Sequence, residues 1–209
     1  MAIPQKFYNS SVNDYAKDKH VLSFTGVHVG IGVNFYAYLT AFSQNFASTW
    51  SSEQVYGRND PIGTFQGTQR TITLGWDVPA GNLLEAQANL RKFGTLSKLL
   101  YPSYDSPEKI FSNKDGDIVV SSNALSLSKS PLMRIKYANL ISTEDGDGLL
   151  GWIGNLSWIP VIEMGVFETK DKIYPKVASL SIDFTAQHER DLGWDGRRFM
   201  GKSSFPFKG

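Results

Sequence analysis

The chain contains no cysteine. That excludes disulfides, thiolate zinc sites and cysteine nucleophiles, and fits synthesis in a reducing cytosol. Charge of one sign is also missing: 21 basic side chains face 20 acidic ones, for a formal net charge of +1. A protein that binds nucleic acid by neutralising phosphates would carry a basic excess. No stretch approaches the roughly 18 apolar residues that span a bilayer. The opening residues MAIPQKFYNSSVNDYAKDKH have no apolar h-region, so no secretory signal is expected. The three histidines, His20, His28 and His188, form neither HExxH nor HxH. His188-Glu189-Arg190-Asp191 is polar enough to hold a metal, but its ordinary reading is a solvated strand exit. GxSxG and GxxxxGK[ST] are absent, and Gly30-Ile31-Gly32 lacks the third glycine and following helix of a dinucleotide loop. The expectation is therefore no enzyme, no cofactor and no metal.

What is present is β-forming and aromatic. Apolar residues make up 41% of the chain and aromatics 13%, a globular composition that suits β cores and subunit interfaces. The most distinctive stretch runs from Trp50 to Ala80. Arg70, Ile72, Leu74, Trp76 and Val78 alternate with Thr71, Thr73, Gly75 and Asp77, the period-2 pattern of a half-buried strand. Before it, Tyr56-Gly57-Arg58-Asn59-Asp60-Pro61 is dense in turn chemistry, and an Arg58–Asp60 pair across the turn is expected. As plain structure this is a hairpin corner tied by its own side chains.

The rest of the chain reads as strands around one helix. Val21–Val29 is a strand, with a turn at Gly30-Ile31-Gly32. Val33–Phe46 is apolar on both faces, with Val33, Phe35, Ala37 and Leu39 opposite Tyr36, Tyr38 and Phe42, and predicts a strand covered on both sides. Asn82 and Glu85 cap a helix over about 82–101. Ala86, Leu90, Phe93, Leu96, Leu99 and Leu100 form its buried face, and Gly94 marks a close contact. The segment 103–130 is a polar loop, with Asp115-Gly116-Asp117 a turn and Ile118–Val120 a short strand; an interaction role is expected for it. Met133, Ile135, Tyr137 and Ile141 face the core, and Glu144–Gly148 is an acidic hairpin tip. Leu150, Trp152, Leu156 and Trp158 then alternate, and Val161–Phe167 continues extended with a bend at Met164-Gly165. Ala178, Leu180, Ile182 and Phe184 point inward. The sum is a mainly β (α+β) domain over 20–188, flanked by an arm at 1–19 and an aperiodic, glycine-rich and aromatic arm at 189–209.

An ordered series of short motifs resembles a known family. It comprises Trp50, Val55-Tyr56-Gly57-Arg58-Asn59-Asp60-Pro61, Phe65, Thr68 and Arg70-Thr71-Ile72. It continues through Val78-Pro79-Ala80, Leu99-Leu100-Tyr101-Pro102, Pro131-Leu132, Gly148-Leu149-Leu150-Gly151 and Tyr174-Pro175-Lys176 to His188–Trp194. Over about residues 45–195 the chain is similar to the baseplate tube proteins of contractile-tailed bacteriophages. The resemblance implies an antiparallel β-barrel or two-sheet sandwich with one flanking helix, and six copies joined edge to edge in a ring around a lumen. It implies a structural virion protein, assembled in the host cytoplasm, that links the central hub to the tail tube and templates the tube. DNA would be passing cargo only. Trp50, Tyr56, Gly57, Arg58, Asp60, Pro61, Arg70 and Trp194 would then be structural or interface residues. The competing expectation is a monomeric ligand-binding module stacking carbohydrate on Trp152, Trp158 and Trp194.

Overall fold

The computed structural model describes residues 21–36, 38–104, 111–112, 118–119, 127–143, 148–201 and 205–207. The arm expected at 1–19, the turn at Asp115–Asp117 and the tip residues 144–147 lie outside the described residues.

The chain is mainly β with one α-helix among the described residues. The main sheet has seven antiparallel strands: β1 (Val21–Gly26), β2 (Ile31–Tyr36), β3 (Tyr38–Glu53), β4 (Ile62–Pro79), β9 (Met133–Tyr137), β10 (Leu149–Pro160) and β13 (Val177–Ala186). Their order is β2-β1-β9-β10-β13-β4-β3, so the chain leaves one edge of the sheet in β2 and enters the other in β3. A single residue separates these two edge strands, which brings their ends within roughly 7 Å. The sheet must therefore roll up. It is neither the closed barrel nor the pair of sheets expected: among the described residues β2 bonds only to β1 and β3 only to β4.

The concave face holds the core. Leu22, Phe24, Ile72, Leu74, Trp76, Met133, Ile135 and Ile141 are fully buried. Phe24, Phe35 and Trp76 form a ring cluster with centroids 5.7–6.0 Å apart. The alternation predicted along β4 and β13 is observed, with Val78, Ala178, Leu180, Ile182 and Phe184 all buried.

The double-sided apolar pattern of Val33–Phe46 has a different cause from the one expected. Val33 and Phe35 face the core from β2. A bulge between Leu39 and Ala41 then shifts the register, so Phe42 pairs with Leu74 and Gln44 with Ile72. The inward set passes from odd to even residue numbers, and one face is covered rather than two. Gly75 lies opposite the bulge, where a Cβ would come 3.1 Å from Thr40 Oγ1. A second bulge between Ile153 and Asn155 does the same in β10. Leu149 is buried before it and Leu156 and Trp158 pack on the core after it, but Trp152 points outward and is exposed, against the alternation predicted for it.

Helix α1 (Leu83–Lys98) packs over the Val78 end of the concave face. Asn82 Oδ1 accepts from the Glu85 amide at 2.9 Å, while Glu85 Oε2 accepts from the Gly81 amide, one residue before the cap. Ala86, Leu96 and Leu99 are buried and Phe93 and Leu100 pack against the core, but Leu90 is exposed. A Cβ on Gly26 would come within 2.9 Å of Leu99 Cδ2. Gly94, expected at a close contact, faces open space.

Smaller pieces complete the chain. β1 ends at Gly26 and the turn falls at Val27–Gly30, earlier than expected, with the Gly30 amide donating to Gly26 O at 2.8 Å. The expected loop 103–130 contains two nested antiparallel pairs, β5 (Ser103–Tyr104) with β8 (Leu127–Lys129) and β6 (Phe111–Ser112) with β7 (Ile118–Val119). Ile162–Met164 is a 3-10 turn, not extended chain, followed by Gly165 at φ 88° and the hairpin β11 (Val166–Thr169) and β12 (Lys172–Pro175). Beyond β13, β14 (Trp194–Asp195) pairs with β15 (Arg198–Phe199).

Candidate functional site: a projecting hairpin and its root

β3 and β4 are longer than the sheet that holds them. Their paired register runs from Tyr38↔Asp77 out to Glu53↔Ile62. From Asn45 to Gln69 every described residue except the half-buried Gly67 is exposed, so the outer half is a two-stranded ribbon with neither face covered. Only Glu53, Arg58 and Asp60 carry charge over that stretch. Aromatic side chains are presented instead. Trp50 and Phe65 meet edge to face at 5.3 Å, and are 61% and 52% exposed. A third bulge, between Thr49 and Trp50, sets this pair on one side of the ribbon.

The turn motif forms the tip of this ribbon. Tyr56 is fully exposed and Gly57 has φ 85°, a conformation that favours glycine. The tip is tied by one backbone bond, the Arg58 amide donating to Val55 O at 3.2 Å, and by the Gln54 side chain, whose Nε2 donates to Arg58 O at 3.0 Å. The expected Arg58–Asp60 pair does not form; both side chains are in solvent, where an ion pair gains little over hydration. Pro61 ends the turn beside Ile62, the first residue of β4, where its missing N–H costs no ladder bond.

Arg70 sits at the root, on the same inward face as Ile72 and Leu74, and is only 2% exposed. Its Nη2 and Nε donate to Gln44 Oε1 at 2.8 and 3.2 Å, and Nη2 also donates to Pro206 O at 3.3 Å. The guanidinium lies 5.6 Å from the Phe46 ring centroid and 5.7 Å from that of Phe205. Burial lowers its pKa to about 10, so it remains a cation at neutral pH. The C-terminal arm thus folds back onto its own chain here, through Phe205 and Pro206. Ring contacts continue from Phe205 to His188 at 6.0 Å, to Phe199 at 5.7 Å, and from Phe199 to Trp194 at 5.4 Å. Trp194 itself is 70% exposed.

The site residues anticipated from sequence therefore divide into two groups. Trp50, Tyr56, Gly57, Arg58, Asp60 and Pro61 share the projecting ribbon, while Arg70 and Trp194 belong to the root and its aromatic chain. Sequence reasoning missed Gln44, Phe46, His188 and Phe205. The chain has no apolar period after β13 that would have pointed to Phe205. Of the tryptophans of the competing carbohydrate reading, Trp158 stacks on Phe93 of α1 at 5.4 Å and Trp194 meets Phe199 at 5.4 Å, while Trp152 is exposed. Among the described residues no group of three or more His, Asp or Glu is placed to hold a metal ion, and no helix is long and apolar enough to cross a membrane.

No protein-family model matches the chain, and no curated protein matches it.

Proposed function

We propose that this chain is a ring-forming structural subunit of a contractile phage tail: the baseplate tube ring that joins the central hub to the tail tube and templates tube assembly. One observation carries the proposal. β3 is a sixteen-residue edge strand with no proline, lysine or arginine, and its single charge is Glu53 at the far end. Natural edge strands are blunted by charge, proline or shortness, because a bare row of N–H and C=O groups recruits other chains. An edge so poor in charge and proline fits a strand that receives a partner. The other free edge in the strand order is β2. Joining the β3 side of one copy to a different side of the next is a heterologous contact, and such contacts close into rings when the rotation permits. The ribbon, with its uncovered Trp50–Phe65 pair, reaches beyond the sheet that holds it toward a neighbouring copy. A formal charge of +1 suits a lumen that lets DNA pass without gripping it.

Electron microscopy and sedimentation velocity on the purified full chain, alone and with its hub partner, test this. The expected result is six-fold rings with a central hole, which seed polymerisation of tube protein. Compact monomers at every concentration, with and without the hub, overturn it.

A further inference from the structure

We propose that the C-terminal segment Phe205–Phe207 is a releasable cap on the root of the hairpin, and that protonation of His188 in mild acid lets it go.

Phe205 is held from several sides. Arg70 stacks on it, Phe46 meets it edge to face at 6.1 Å, and His188 meets it at 6.0 Å. Pro206 adds the carbonyl that accepts from Arg70 Nη2. Phe199 brings the ring of the β14–β15 hairpin against it. The partners that Arg70 uses here, an amide oxygen, a backbone carbonyl and two ring faces, are all neutral.

His188 is the titratable member of this cluster. Burial holds its imidazole below the ordinary pKa, and the cation of Arg70, the charged group facing it from β4, lowers it further. In its own segment, Glu189 is turned away into a bidentate pair with Arg134 of β9, and Arg190 acts on Glu189. Among the described residues no carboxylate pairs with either His188 or Arg70. A proton on His188 therefore sets two cations against each other in a half-dry site. Arg70 is anchored in the strand, so His188 must turn to water, and Phe205 loses that ring. The sign follows. The capped state favours neutral imidazole, so capping is complete above the ordinary histidine pKa of about 6.5 and weakens as pH falls below it. Release uncovers Phe46 and Arg70 on the face that already presents Trp50 and Phe65. The consequence for docking rests on the ring proposal; the release itself does not.

Amide hydrogen exchange of the full chain between pH 7.5 and pH 5, corrected for intrinsic rates, tests the cap. Peptides from Gly193 to Phe207 include the Met200 amide, which donates to Gly193 O at 2.9 Å. They should lose at least tenfold in protection at pH 5, while β13 peptides keep theirs. His188→Phe, which keeps a ring but carries no proton, should stay protected at both values. Phe205→Ala should be unprotected at both. Equal protection of the wild type across this range, or the same acid loss in His188→Phe, overturns the proposal. Exchange is read on the chain in whatever state of assembly it has, so absence of rings would count against the proposed function and leave this test standing.

Discussion

A guanidinium buried among neutral partners makes Arg70 the residue on which the root depends. Its stability contribution is asymmetric. Gln44 Oε1 accepts both of the side chain's closest hydrogen bonds. Gln44→Leu removes them and leaves a dry cation with one carbonyl and two ring faces, a loss of about 2–3 kcal/mol. Arg70→Met takes the charge away and keeps most of the volume. Replacement of buried charge by apolar bulk is often close to neutral, so a change within about 1 kcal/mol is expected. Urea denaturation of the two variants decides: if Arg70→Met is the more damaging, the cation is a net stabiliser and the asymmetry is wrong. The inward position of Arg70 was legible, because the alternation from Arg70 to Val78 places it. Its partners were not. Phe205 is brought to it by a tail whose sequence has no period, and nothing local marks that contact.

At the scale of elements, the bulges of the main sheet decide how well pattern predicts packing. β4, β9 and β13 run without a phase change through the core, and their inward residues follow strict alternation. β3 and β10 each contain an extra residue, and there the alternation read from sequence puts Trp152 in the core and gives Val33–Phe46 a second apolar face. In β10 the extra residue is Gly154, and a glycine inside a strand pattern is a bulge signal; in β3 it is Thr40, which carries none, with Gly75 opposite it. The rolled, unclosed sheet was unreadable as well: it follows from β2 running straight into β3 at the opposite edge. Two glycines test this packing in opposite directions. At Gly151 an added Cβ would stand 2.0 Å from Thr185 O, a backbone atom of the paired strand, and 2.6 Å from the Phe184 ring. Neither can yield cheaply, so Gly151→Ala should cost about 3 kcal/mol or more. At Gly94 the same methyl meets nothing within 4 Å, in a helix of ordinary geometry. Gly94→Ala should stabilise by about 0.5–1 kcal/mol. Thermal unfolding of both proteins measures the pair, and a destabilised Gly94→Ala would mean that the helix face is covered by something in the intact protein.

For the whole molecule, stability and assembly should separate along the β3–β4 hairpin. The core ends near Ile72 and the cap at Arg70; beyond them the ribbon contributes almost no burial to its own chain. A surface that contributes little to folding and yet keeps Trp50 and Phe65 together in water is favourable only where a partner covers it. Replacing both with serine leaves the strands paired and, on the ring proposal, removes apolar contact between copies. Trp50→Ser/Phe65→Ser should therefore unfold within about 1 kcal/mol of the wild type, as surface changes do. The same variant should lose assembly by tenfold or more in sedimentation, because aromatic anchors dominate interfaces of this kind. Tyr56→Ser at the tip offers a finer cut. If the tip contacts the next ring rather than the neighbour within a ring, this change leaves rings intact and blocks their stacking. A double variant that assembles as well as the wild type would assign the contacts between copies to the bare β3 backbone, whose N–H and C=O groups no side-chain substitution removes.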